Sequence, residues 1–102
     1  MSEKEKPEFT ENEDGTITIE LSKPIINMGE KQTILTFREP TCKEFTEIGM
    51  VITINGEGQI TFDPKKLIKM AEILANIPGG SLENQSYKQM VKIAYALVPF
   101  FV

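Results

Sequence analysis

The last ten residues, IAYALVPFFV from Ile93 to Val102, carry no charge, and the final three are large and apolar. A helix that is apolar all round needs cover on every side. A chain of 102 residues buries about two-thirds of its unfolded surface, so it can fully enclose few helices. The C-terminus therefore either closes the core or offers an apolar surface to a partner. Tyr87, Met90, Val91, Ala94, Leu97, Val98 and Phe101 recur at steps of three and four, which favours core from Tyr87 to Leu97. For Phe100, Phe101 and Val102 the core and partner readings stand level, because chain ends lie mostly outside.

The rest of the composition narrows the classes. Hydrophobic residues make up 40% and charged residues 25%, enough to fold one small domain. There is no His and no Trp, and Cys42 is the sole cysteine. That excludes disulfides within the chain, Cys/His zinc sites and any mechanism with a histidine base. No apolar run nears the ~20 residues of a membrane span. The opening MSEKEKPEF lacks the apolar region of a secretory signal, so the cytoplasm is the expected location.

Charge is unevenly spread. Residues 1–14 hold six acids (Glu3, Glu5, Glu8, Glu11, Glu13, Asp14) against Lys4 and Lys6, and the remainder holds nine of each sign. All of the net −4 is thus on an N-terminal arm. Residues 1–15 are expected to be a disordered acidic arm, with residues 16–102 forming a single small domain. A body without net charge resists self-association poorly, which leans toward a homo-oligomer or a bound partner. No basic stripe appears; Lys65, Lys66 and Lys69 are the densest basic group, so nucleic acid is not an expected partner.

Along the chain, Asp14-Gly15 signals a turn. Thr16 to Leu21 alternates strictly, with Ile17, Ile19 and Leu21 on one face, as in a half-buried strand. Pro24 is expected to end it. Asn27-Met28-Gly29-Glu30 reverses the chain, and Thr33 to Arg38 forms a second strand, giving an antiparallel hairpin with a long connection. Thr41 and Glu44 fit a capping box that opens a short helix, weakened at Gly49. Residues 51–62, VITINGEGQITF, stay open. Asn55-Gly56 between β-branched runs reads as a second hairpin, and the competing reading leaves a Gly-rich loop. Asp63-Pro64 is a helix start. Leu67, Ile68, Ala71, Leu74 and Ala75 form its apolar stripe, widened by Met70, Ile73 and Ile77, and Pro78-Gly79-Gly80 is the expected stop. Ser81 or Ser86 caps the last helix. The fold expected is α+β: an N-terminal antiparallel β-hairpin followed by about three α-helices.

Catalytic groups are not in evidence. Cys42 has no histidine to activate it and reads as a small buried or half-buried thiol. Glu44 and Glu47 lie a helical turn apart, a spacing that carries acid–base chemistry in some sites and is a solvated face in most. Asn55-Gly56-Glu57-Gly58 lacks the Lys-Ser/Thr of a phosphate loop, and Asp63 is explained as a cap. No catalytic, cofactor-binding or metal-binding residue is assigned.

The ordered signals resemble a known family. Leu21-Ser22-Lys23-Pro24-Ile25, then Gly29, then Thr36-Phe37-Arg38-Glu39-Pro40-Thr41, then Ile77-Pro78 and the closing Phe100-Phe101 resemble the tail assembly chaperones of Mu-like tailed bacteriophages. The resemblance covers about residues 16–102, with a weak middle at 43–62. It departs at Gln89, where the family often carries an acidic residue early in its last helix. It implies a phage or prophage product in the host cytoplasm that binds the tape-measure protein, keeps it soluble during tail assembly and is absent from the mature virion. It also implies a partner in a longer, frameshifted form of the same chain. Met90, Leu97, Phe100, Phe101 and Val102 are the candidate partner-binding residues, because helix-in-groove binding uses apolar anchors at helical spacing. Met70 and Met90 suit an adaptable surface and equally suit plain core. A structural tail subunit retained in the virion, or an acidic host-directed inhibitor, are the competing readings. Arg38 is expected to pair with Glu39 or Glu44.

Overall fold

The structure, a computed structural model, describes residues 9–101. Its elements are β1 (Phe9–Glu11), β2 (Ile17–Asn27), β3 (Glu30–Phe37), α1 (Cys42–Ile48), β4 (Ile52–Ile54), β5 (Ile60–Phe62), α2 (Pro64–Leu74) and α3 (Tyr87–Phe101). The fold is α+β, as expected. A three-stranded antiparallel sheet of order β1-β2-β3 and a separate β4-β5 hairpin pack with the helices around one core. Ile17, Ile19, Leu35 and Phe37 of the sheet meet Leu67, Met70 and Leu74 of α2 and Ile93 and Leu97 of α3 in that core.

Residues 9–15, expected as part of a disordered arm, form a strand and a turn. Phe9–Glu11 pairs antiparallel with Ile17–Ile19 as an edge strand, so residues 9–15 are ordered; residues 1–8 lie outside the described residues. Asn12 explains the order. Its amide donates to Oγ1 of both Thr16 and Thr18 at 2.9 Å, while Asp14 accepts from the Thr16 amide and hydroxyl. These hydrogen bonds hold the Asp14 carboxyl below its usual pKa.

The 51–62 stretch is a hairpin, and its turn repeats the first one. Asn12 donates its backbone N–H to Thr16 and accepts from Gly15; Asn55 does the same with Gln59 and Gly58. Gly15 and Gly58 are left-handed, at φ 92° and 83°. This is the three-residue hairpin loop that closes on a left-handed glycine. The special residue is thus Gly58 and not the expected Gly56. The registers Phe9↔Ile19, Thr10↔Thr18 and Ile52↔Phe62, Thr53↔Thr61 also correspond.

Pro24 does not end β2. The ladder runs Glu20↔Ile34 and resumes at Ile25↔Gln32, so residues 21–24 bulge out against Thr33 alone. A proline has no N–H to give a ladder, and a bulge is where a strand tolerates it. Resumed pairing carries β2 and β3 to Asn27↔Glu30, so their connection is a tight Met28-Gly29 turn and not a long one. Both residues have positive φ, 56° and 82°, as a type I′ turn requires.

Helix α2 begins as expected, with Asp63 accepting from the Lys66 amide and Pro64 in the first turn. It stops before Pro78-Gly79-Gly80. Asn76 takes a left-handed φ of 58°, and Ile77 and Asn76 donate to the carbonyls of Glu72 and Ile73. That is a Schellman stop with Asn in glycine's usual place. Ser86 caps α3 by accepting from the Gln89 amide at 3.2 Å. The buried face of α3 is Gln89, Ile93, Ala94, Ala96 and Leu97, with Tyr87 largely exposed. No helix among the described residues is long and apolar enough to cross a membrane.

Candidate partner-binding groove

Helix α1 is short and buries no residue completely, so what holds it is local. Thr41 Oγ1 accepts from the Glu44 amide and Glu44 Oε1 accepts from the Thr41 amide, completing the capping box. Arg38, at the end of β3, grips the same carboxylate through both terminal nitrogens, with Nη1 to Oε1 at 2.9 Å. A fork-on-carboxylate pair is geometrically specific. The Arg38 hydrogen bond first, and the Thr41 amide second, hold the Glu44 carboxyl at about 2, against an ordinary 4.5. The same pairing raises Arg38. Arg38 also donates its backbone N–H to Leu74 at 3.2 Å, tying the β3 end to the end of α2.

This fixed α1 forms one wall of an open apolar groove. The end of α3 forms the other. Pro40, Cys42, Phe45, Met50, Phe100 and Phe101 line it, around a volume of about 340 Å³. Phe45 and Phe101 rings lie 6.1 Å apart at 32°, a spacing at which aromatic pairs attract. Phe45 is 36% exposed and Met50 52%. Phe100 and Phe101 are half-buried against the core. Pro99 sits in the last turn of α3, where its missing N–H leaves the carbonyl one turn back without a helical bond.

The expected partner residues separate here. Phe100 and Phe101 line the groove together. Leu97 is 0% exposed and belongs to the core, so its assignment to a partner surface is corrected. Met90 is half-buried and lines a different cleft, with Ile68, Leu82 and Ile93. Val102 lies outside the described residues. Met70 is fully buried and is core. Cys42 is exposed on the groove wall, contrary to the buried or half-buried thiol expected. Gln89, where the resemblance departs, is buried and turned inward. Its Oε1 accepts from the Ser22 amide at 3.0 Å and the Ser22 hydroxyl at 2.9 Å, which satisfies the bulge of β2.

Sequence reading missed Phe45 and Met50 as groove residues, and missed Glu72. The Glu72 carboxylate is nearly buried and accepts from the Gly80 and Leu82 amides at 3.0 and 3.1 Å, clasping the loop after α2. Among the described residues, no three Cys, Asp or Glu side chains gather in a way that would hold a metal ion. Compared with protein-family models, curated proteins and solved structures, the chain matches none.

Proposed function

We propose that this chain is a non-catalytic binding protein that takes an amphipathic helix into the Phe45–Phe101 groove, and that the helix belongs to a phage tape-measure protein kept soluble during tail assembly. The observation that carries the binding role is the groove itself. Aromatic and Met side chains stay partly exposed on its two walls, where a monomer of this size would gain by covering them. An apolar helix face laid into such a groove is a common recognition mode. The identity of the client rests on the resemblance around Pro24-Ile25, Arg38 to Thr41, Ile77-Pro78 and Phe100-Phe101 alone. Self-association and a longer frameshifted companion belong to the same proposal, as do action in the host cytoplasm and departure before the virion is complete.

The test is co-expression of the full chain with a phage tape-measure protein. The chain should hold the client in the soluble fraction and co-elute with it. Phe45→Ala should abolish capture while lowering the thermal midpoint far less than truncation of a core leucine. A client that stays insoluble beside abundant soluble chain would sink the proposal, and so would finding the chain in purified virions.

A further inference from the structure

We propose that the groove selects its helix by charge: the occupant carries Lys or Arg flanking its apolar anchors. This rests on the helix-in-groove reading above. Phe100 belongs to two adjoining surfaces. On one side lies the apolar groove with Phe45, Met50 and Phe101. On the other lies a smaller notch of about 220 Å³, flanked by Glu11 and Glu39 and bounded by Pro99 and Phe100. Glu11 ends β1 and Glu39 follows β3, so only the fold brings the two carboxylates to one place.

Both carboxylates are exposed, and neither has an ion-pair partner among the described residues. Arg38, next to Glu39 in the chain, is already engaged by Glu44. Among the described residues, no Lys or Arg lines either surface, and the charged side chains lining the notch are therefore both acidic. The groove and the notch share Phe100, so a cation flanking the apolar anchors of a bound helix is placed beside the two carboxylates. Exposed charges of this kind discriminate between partners more than they add affinity.

The probe is a pair of fluorescent helical peptides with identical Leu anchors at three- and four-residue spacing, one bearing Lys and the other Glu in a terminal turn, each made with the charged turn at either end. At low salt the best Lys peptide should bind the full chain about five- to tenfold more tightly than any Glu peptide, the scale of two exposed ion pairs. The gap should close near 1 M salt, where screening acts beyond about 3 Å. It should close equally in the double variant Glu11→Gln, Glu39→Gln, whose thermal transition should match the parent. Equal affinities for both peptides, with binding still lost in Phe45→Ala, would overturn charge selection and leave the groove standing. No binding by any peptide, or binding indifferent to Phe45→Ala, would overturn the groove and this inference together.

Discussion

Glu44 joins three features that sequence places apart: the end of β3, the N-cap of α1 and the wall of the groove. Its carboxyl is held down at about 2 by Arg38 against an ordinary 4.5. A carboxyl depressed on folding stabilises the fold fully above its unfolded value, and that stability is lost as pH falls through the folded value. The Arg38 side chain is 45% exposed, so water screens the pair and its worth is that of a surface bridge. Glu44→Gln keeps a side chain able to reach the Thr41 amide and gives up the charge. It should lower stability at neutral pH by about 0.5 kcal/mol. Thermal melts at a series of pH values should show that deficit shrinking from pH 4.5 toward about 2; a deficit that persists below that range would mean the ion pair is not its source. The Thr41–Glu44 cap was legible because its spacing is local. Glu72 was not, since its partners Gly80 and Leu82 donate from a loop whose path no periodicity encodes.

Among the elements, the decisive joint is between β2 and α3. A proline inside a strand ordinarily argues against that strand, and the reading that Pro24 ends β2 followed from that rule. What rescues the strand is Gln89, 67 residues away, accepting from both donors of Ser22. Gln85 adds a bond to the Lys23 carbonyl at 3.0 Å. Gln89→Ala removes the acceptor of the part-buried Ser22 amide and hydroxyl and should cost about 0.5–1.5 kcal/mol. Hydrogen exchange should then accelerate at Ser22 and along the β2–β3 tip while α2 stays protected. Uniform acceleration across the chain would show instead that the joint is not local. The existence of α3 was plain from its apolar repeat, but its rotation was not. A helix apolar on nearly all sides gives periodicity no phase, so Tyr87 was counted with the core although it is largely exposed, and the buried Gln89 was not among the apolar positions that the repeat picks out. The second hairpin was legible from its β-branched flanks. Its exact turn was not, because Gly56 and Gly58 both satisfy the sequence signal and only the Asn55–Gln59 pairing distinguishes them.

For the molecule as a whole, the C-terminal apolar run divides between two duties. Leu97 closes the core at 0% exposure, while Phe100 and Phe101 edge the groove. Leu97→Ala should cost about 2–5 kcal/mol, the range for a buried leucine. Phe45→Ala should cost far less, because part of the ring is already in water. Urea midpoints should separate the two variants clearly, and equal shifts would place Phe45 in the core. Sequence identified the sticky end but not its companions, since Phe45 and Met50 reach it only through the turn of α1 against α3. The lone thiol on that wall has a practical consequence. Cys42 is the chain's only cysteine and it faces outward beside Phe45. Its rate of alkylation by a maleimide is therefore a built-in occupancy meter for the groove, readable by mass spectrometry on the unmutated chain as a partner is titrated in.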